Sequence, residues 1–195
     1  MHTIHTSSLT HEIYSYVPEG CVDAHATGLQ QLREFIRRRY EELLPGGVWV
    51  NRDVVGPEHP ERLVWLACSD RERFLKFAAD YRRREGEMVE FAEVEDGGRR
   101  MFQLGLGDAW EFATKKDYLE NWESEMHERF CFWSQQDWER ELEQVGFRVS
   151  PVSRCYLNPW IVENRLEGQI ELIDPGSGTP LAFPPTTTIL VAEKI

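Results

Sequence analysis

The sequence predicts an α/β fold, and three features carry that expectation. Stretches with apolar residues at helical spacing alternate with short runs rich in β-branched residues. Helix openings are marked by Ser or Thr followed three residues later by Gln, Glu or Asp, at Thr27/Gln30, Ser69/Glu72, Thr114/Asp117 and Ser134/Asp137. Near the end, Phe147–Val152 and Thr188–Lys194 read as an antiparallel strand pair that finishes a sheet.

Taken in order, Met1–Ser8 alternates weakly and predicts a short strand running into a Ser/Thr turn. Leu9, Ile13 and Tyr16 then fall at helical spacing, and Pro18-Glu19-Gly20 ends that element. Leu29, Leu32, Phe35, Ile36, Tyr40 and Leu43 form the apolar stripe of an amphipathic helix. It stops at Pro45-Gly46-Gly47, because proline removes a donor and glycine relieves the backbone, and Val48-Trp49-Val50 starts a strand at once. Arg62–Ala67 is strand-like, and Phe74, Phe77, Ala78 and Tyr81 mark the inner face of a further helix. Glu85–Arg100 is polar and reads as an exposed loop or hairpin. Tyr118, Leu119, Trp122 and Met126 lie on one predicted helix; Trp138, Leu142 and Val145 lie on the next, which Gly146 stops. Ile170 and Leu172 alternate, and Asp174-Pro-Gly-Ser-Gly178 is a turn. A single domain, 1–195, is expected, with 55–132 a largely helical insertion or lid.

Length and composition bound the function. A chain of 195 residues can bury roughly 70% of its unfolded surface. The longest uninterrupted apolar run is six residues, Leu63–Cys68, too short to span a bilayer. The N-terminus lacks the basic start and apolar core of a signal peptide. Cys21, Cys68, Cys131 and Cys155 lie 47, 63 and 24 residues apart, so no metal-binding or redox pair is formed in sequence. Free thiols and a cytoplasmic location are expected. His2 and His5 have no third ligand nearby, so no metal is assigned. The net charge of −12 opposes unspecific nucleic-acid binding, although Arg37-Arg38-Arg39, Arg82-Arg83-Arg84 and Arg99-Arg100 are local basic clusters. They read as solvated helix ends and turns.

One order of features is more specific than any of its parts. A helix runs into Leu43-Leu44-Pro45-Gly46-Gly47-Val48-Trp49-Val50, with Arg52-Asp53 at the strand end; later a helix ends in Gly146-Phe147, and two antiparallel strands follow. This order resembles the late half of a class I, Rossmann-like, S-adenosylmethionine-dependent methyltransferase, from its fourth strand to its seventh. The opening Ser7-Ser8-Leu9-Thr10-His11-Glu12 is similar to the turn after that family's fourth strand. The resemblance implies a partial Rossmann-like sheet and methyl transfer to an acceptor.

The family's first half, with its glycine-rich loop and the acidic residue that holds the cofactor ribose, has no counterpart here. Gly105-Leu106-Gly107-Asp108 is the one candidate loop, and a helix-linking turn accounts for it better. The resemblance therefore implies S-adenosylmethionine as cofactor while its main binding motif is missing. A partner chain supplies the first half, the true start lies upstream, or the chain is a remnant. Made alone, the chain presents its first strand as an open edge, which favours homo-oligomers or another docked chain.

Candidate site residues follow from position. Open α/β sheets bind ligands beyond the carboxyl ends of their strands. His11 and Asp53 lie there and are the catalytic candidates, since a histidine of ordinary pKa, about 6.5, can take a proton near neutrality. The other reading makes His11 a helix cap and Asp53 a loop-capping carboxylate. The resemblance assigns Ser8 to the cofactor. Glu12 and Tyr14 are substrate-binding candidates, with Trp122 in the aromatic insertion and Asn158 and Trp160 in the connection between the last strands. Each has a packing alternative. The charge and the aromatic insertion favour a small-molecule acceptor, and a non-catalytic binding or regulatory subunit is the other function class.

Overall fold

The computed structural model describes residues 1–18, 20–82 and 86–195. Glu19, Arg83, Arg84 and Glu85 lie outside the described residues; they belong to the expected stop at Pro18–Gly20, the basic run from Arg82 and the start of the polar segment before Arg100. In chain order the first elements are β1 (Thr3–Ser7), α1 (Thr10–Ser15), α2 (Ala24–Glu42), β2 (Val48–Val54), β3 (Leu63–Cys68) and α3 (Arg71–Asp80). Next come β4 (Phe91–Asp96), β5 (Arg99–Gly105), α4 (Leu106–Lys115), α5 (Trp122–Glu125) and α6 (Gln135–Val145). The last are β6 (Phe147–Val149), β7 (Arg154–Tyr156), α7 (Pro159–Ile161), a π-helical turn (Val162–Leu166), β8 (Ile170–Ile173) and β9 (Thr187–Lys194).

The chain divides into two compact units. The first comprises Met1–Glu58, Glu128–Tyr156 and Thr186–Ile195. Its sheet has the order β1-β2-β9-β6, with β7 also paired to β9. β1 and β2 are parallel, a pairing that needs a long crossover, which α1 and α2 provide. β9 runs antiparallel to both β2 and β6 and so reverses direction between them. The Pro-Gly-Gly turn works as its residue types require. Gly46 sits at φ +75°, where a side chain is strained, and donates its N–H to Lys194 O at 2.8 Å. Ser134 and Asp137 form the expected reciprocal capping box of α6, which Gly146 ends at φ +109°.

Period-two burial turns Trp49, Asn51 and Asp53 of β2 inward. There Ile4, Trp49, Leu190 and Ala192 of the sheet pack against Leu32, Ile36, Trp138 and Leu142 of α2 and α6. The strand expected over Phe147–Val152 is interrupted. Ser150 N–H still bonds Val191 O, but Val191 N–H turns to the Ser153 hydroxyl at 2.9 Å, so a side chain patches the ladder between β6 and β7.

The second unit comprises His59–His127 and Leu157–Pro185. The expectation of a largely helical segment over 55–132 is corrected here, because β3, β4 and β5 join β8 in an antiparallel sheet of order β4-β5-β3-β8. β4 and β5 form a hairpin whose turn, Gly97-Gly98, has both φ values positive (56° and 79°), as its twist demands. An aromatic cluster fills this unit, with Phe74 stacked on Phe102 at 4.0 Å and edge-on to Phe112 at 5.2 Å.

Two expected caps shift by one position or more. Asp23, not Thr27, caps α2 by accepting Ala26 N–H, and Asp70, not Ser69, caps α3 by accepting Arg73 N–H. Thr114 opens no helix. It lies in the last turn of α4 and bonds back to Trp110 O at 2.9 Å.

Candidate active site

β1 ends at Ser7, and Ser8 turns the chain with φ +51°, a left-handed conformation unusual for serine. Its N–H closes the parallel ladder on Arg52 O at 2.9 Å, and its hydroxyl accepts from Arg52 Nη1 at 3.1 Å. That turn aims the start of α1 at the carboxyl end of β2, where Asp53 points inward.

The Asp53 carboxylate is 2% exposed and fully engaged. Oδ2 accepts from the N–H groups of Leu9 (3.1 Å), Thr10 (2.6 Å) and His11 (3.3 Å), and from the Thr10 hydroxyl. Oδ1 accepts from Val54 N–H at 2.8 Å and meets His11 Nδ1 at 2.6 Å. A β2 side chain thus organises the first turn of α1, which has no side-chain cap of its own.

His11 is buried and held on both ring nitrogens. Nε2 lies 3.5 Å from Glu128 Oε2, and Glu128 Oε1 accepts from the Tyr16 hydroxyl at 3.0 Å. Phe130 packs edge-on against the imidazole at 5.2 Å. Burial pushes the His11 pKa down, but the hydrogen bonds and charges of Asp53 and Glu128 outweigh it and raise the value to about 9. Burial likewise pushes Asp53 up, and the bonds and charge from His11, with those from Thr10 and Val54, bring it below the usual carboxylate range. The cluster therefore holds a proton on His11 at neutral pH, between two carboxylates.

Polar groups continue along the two strands. The Thr6 hydroxyl donates to Asn51 Oδ1 at 2.6 Å and accepts from Trp49 Nε1 at 2.9 Å. Asn51 Nδ2 is buried and has no hydrogen-bond partner among the described residues.

The structure brings His11 and Asp53 together. Ser8 is exposed at the turn beside them. Glu12 is exposed on an open groove of about 370 Å³ between α1 and α2 that also meets Tyr16, Phe35 and Arg39. Tyr14 is buried; it stacks on Phe132 at 4.5 Å, and its hydroxyl meets His25 Nδ1 at 2.5 Å. Trp122, Asn158 and Trp160 belong to the second unit. Trp122 donates to Asp80 at 2.8 Å, Asn158 caps α7, and Trp160 is 57% exposed. Sequence reasoning missed Glu128 and Phe130, which flank His11. Glu128 reads as one more acid in an acidic run, and its distance of more than a hundred residues from His11 leaves no local signal.

Gly105 and Gly107 test whether the chain itself cradles a nucleoside cofactor. Gly105 ends a seven-residue strand, β5, and Gly107 lies in the first turn of α4, a context the sequence did not suggest. The backbone amides are engaged elsewhere: Leu106 N–H bonds Arg62 O and Gly107 N–H bonds Pro60 O, each at 2.8 Å. An added Cβ on Gly107 would stand 3.0 Å from Pro60 Cβ, so the glycine admits Pro60, not a ligand. The Gly105–Gly107 turn does not fit S-adenosylmethionine. Among the described residues no group of side chains could hold a metal ion, and no helix is long and apolar enough to cross a membrane.

No family model matches the chain, and no curated protein matches it. Among solved structures it is similar to an S-adenosylmethionine-dependent methyltransferase from Clostridium acetobutylicum ATCC 824, at a TM-score of 0.36 and 11% identity over 99% of this chain. The chain spans 58% of the length of that protein.

Proposed function

We propose that this chain is the acceptor-side part of a methyltransferase, working with a cofactor-binding part supplied by a partner chain or by an upstream segment. The observation that carries the reading is the His11–Asp53 pair at the carboxyl ends of two parallel strands, where open α/β sheets bind ligands. The sheet order supports it, since two parallel strands are followed outward by a reversed last strand, as the resemblance implies. The Pro-Gly-Gly turn and the Gly146-Phe147 helix end, both formed as expected, support it further.

In this reading Asp53 fixes the ring of His11, and Glu128 stands on the only ring nitrogen not turned to Asp53. An acceptor that displaces Glu128 gains Nε2 and removes one of the two carboxylates that hold the proton there. His11 then moves toward its ordinary pKa, gives up its proton to water, and as the neutral imidazole can take one from the acceptor. S-adenosylmethionine, bound by the other part, would supply the activated methyl group. The acceptor is a small molecule.

The test is methyl transfer from tritiated S-adenosylmethionine by the chain recovered from its own cells with whatever polypeptide accompanies it. Incorporation into small-molecule extracts is expected with the natural chain and loss of it with His11→Gln. Equal incorporation in both, or none in either, contradicts the proposal. A second reading, a non-catalytic subunit that docks through β1, is favoured by the free edge of that strand.

A further inference from the structure

β1 is the outer strand of the first unit's sheet, and its free edge has a defined set of groups. Val48 N–H bonds His2 O, and Ser8 N–H bonds Arg52 O, each at 2.9 Å. With the parallel register Thr3↔Val48 to Ser7↔Arg52, these bonds turn the backbones of His2, Ile4, Thr6 and Ser8 toward β2. The N–H and C=O groups of Thr3, His5 and Ser7 therefore point away from the sheet. These residues are exposed, and among the described residues no hydrogen bond satisfies those groups.

Such edges are normally protected by lysine, another charge, proline or a bulge. Thr3-Ile4-His5-Thr6-Ser7 has none of these, although charged residues make up 29% of the chain. The outward groups are also symmetric about His5. We infer that β1 pairs with β1 of a second copy of this chain, antiparallel and centred on His5. His5 then faces its own symmetry mate as a hydrogen-bonded pair, and each Thr3 faces a Ser7, so every outward donor and acceptor is matched. Thr3 and Ser7 hydroxyls meet on the exposed face as a hydrogen-bonding cross-strand pair. A heterologous strand offers no such match by symmetry. The opposing net charge, −12 on each copy, lies outside this uncharged strand and is screened by salt. If the proposed function holds, self-pairing covers an edge that a docking partner would need, so the dimer is a resting form.

Sedimentation of the full chain tests this without requiring activity. A dimer is expected at micromolar concentration and physiological salt. His5→Pro removes an edge donor without touching the β1–β2 ladder and should give a monomer with unchanged circular dichroism; Ile4→Pro, whose N–H serves that ladder, should unfold the strand. Should His5→Pro fail to fold, His5→Glu and His5→Lys decide. Each alone should weaken the dimer about tenfold or more by placing like charges opposite, and an equimolar mixture should restore it. A monomeric natural chain, or a dimer indifferent to all three His5 substitutions and to mixing, overturns the inference, whether or not the methyltransferase reading stands.

Discussion

His11 Nδ1 and Asp53 Oδ1 stand 2.6 Å apart, joining the first turn of α1 to the end of β2 with both side chains closed off from water. Asp53 does two things through that contact: it fixes the imidazole, and it satisfies the amides that open α1. Asp53→Asn removes the charge and turns an amide group toward several N–H donors. Breaking a buried pair of this kind costs about 3–5 kcal/mol, whereas Thr10→Val, which removes one hydroxyl bond, costs about 1 kcal/mol. Urea unfolding of the two variants should separate them by that margin.

The same pair makes stability depend on pH in a set direction. His11 holds its proton to about pH 9 when folded, against an ordinary 6.5, so its contribution is full below about 6.5 and fades as pH rises through 9. Asp53 is lowered from 3.8, so its contribution is full above that value and fades as pH falls through the lowered one. The natural chain should lose more stability between about pH 6.5 and pH 9 than His11→Gln does. Parallel urea midpoints for the two proteins across that range check the sign.

Gly28 lets α1 rest directly on α2. A Cβ there would stand 2.3 Å from the backbone oxygen of Tyr14, an atom that cannot rotate away. Gly28→Ala should therefore lose about 1–3 kcal/mol to overpacking, against the gain of up to ~1 kcal/mol that alanine brings to a helix interior. A thermal unfolding midpoint below that of the natural chain is the expected result.

Ser8 is strained in the opposite sense. Its φ of +51° suits glycine, and its hydroxyl bond to Arg52 is exposed. Ser8→Gly should raise stability by about 0.5–1 kcal/mol, because the left-handed conformation costs a side-chain-bearing residue roughly 1–2 kcal/mol. The proton held on His11 should stay unchanged in an imidazole titration followed by NMR.

Local chemistry was legible where one residue type solves one local problem. Pro45-Gly46-Gly47 and Gly146 ended helices, Ser134 with Asp137 opened one, and the carboxyl-end rule singled out His11 and Asp53. The hairpin of the second unit was harder, since β4 is exposed on nearly every residue and shows no inward alternation to read. The shifted caps have the same cause as the correct one: Asp23, four residues before Thr27, and Asp70, one residue after Ser69, stand at the helix starts, where a side-chain oxygen reaches the free amides. Glu128 was illegible because its role exists only after folding brings it to His11. Asp53 first and Glu128 after it together move the pKa of His11 from one suited to a base to one suited to holding a proton.

The most direct measurement is a calorimetric titration of S-adenosylmethionine into the isolated full chain and into the assembly recovered from its own cells. Because the amides of Leu106 and Gly107 are engaged by Arg62 and Pro60, no heat of binding is expected from the isolated chain, while the assembly should bind. Micromolar binding by the isolated chain, or none by the assembly, would contradict an acceptor-side part that borrows its cofactor site.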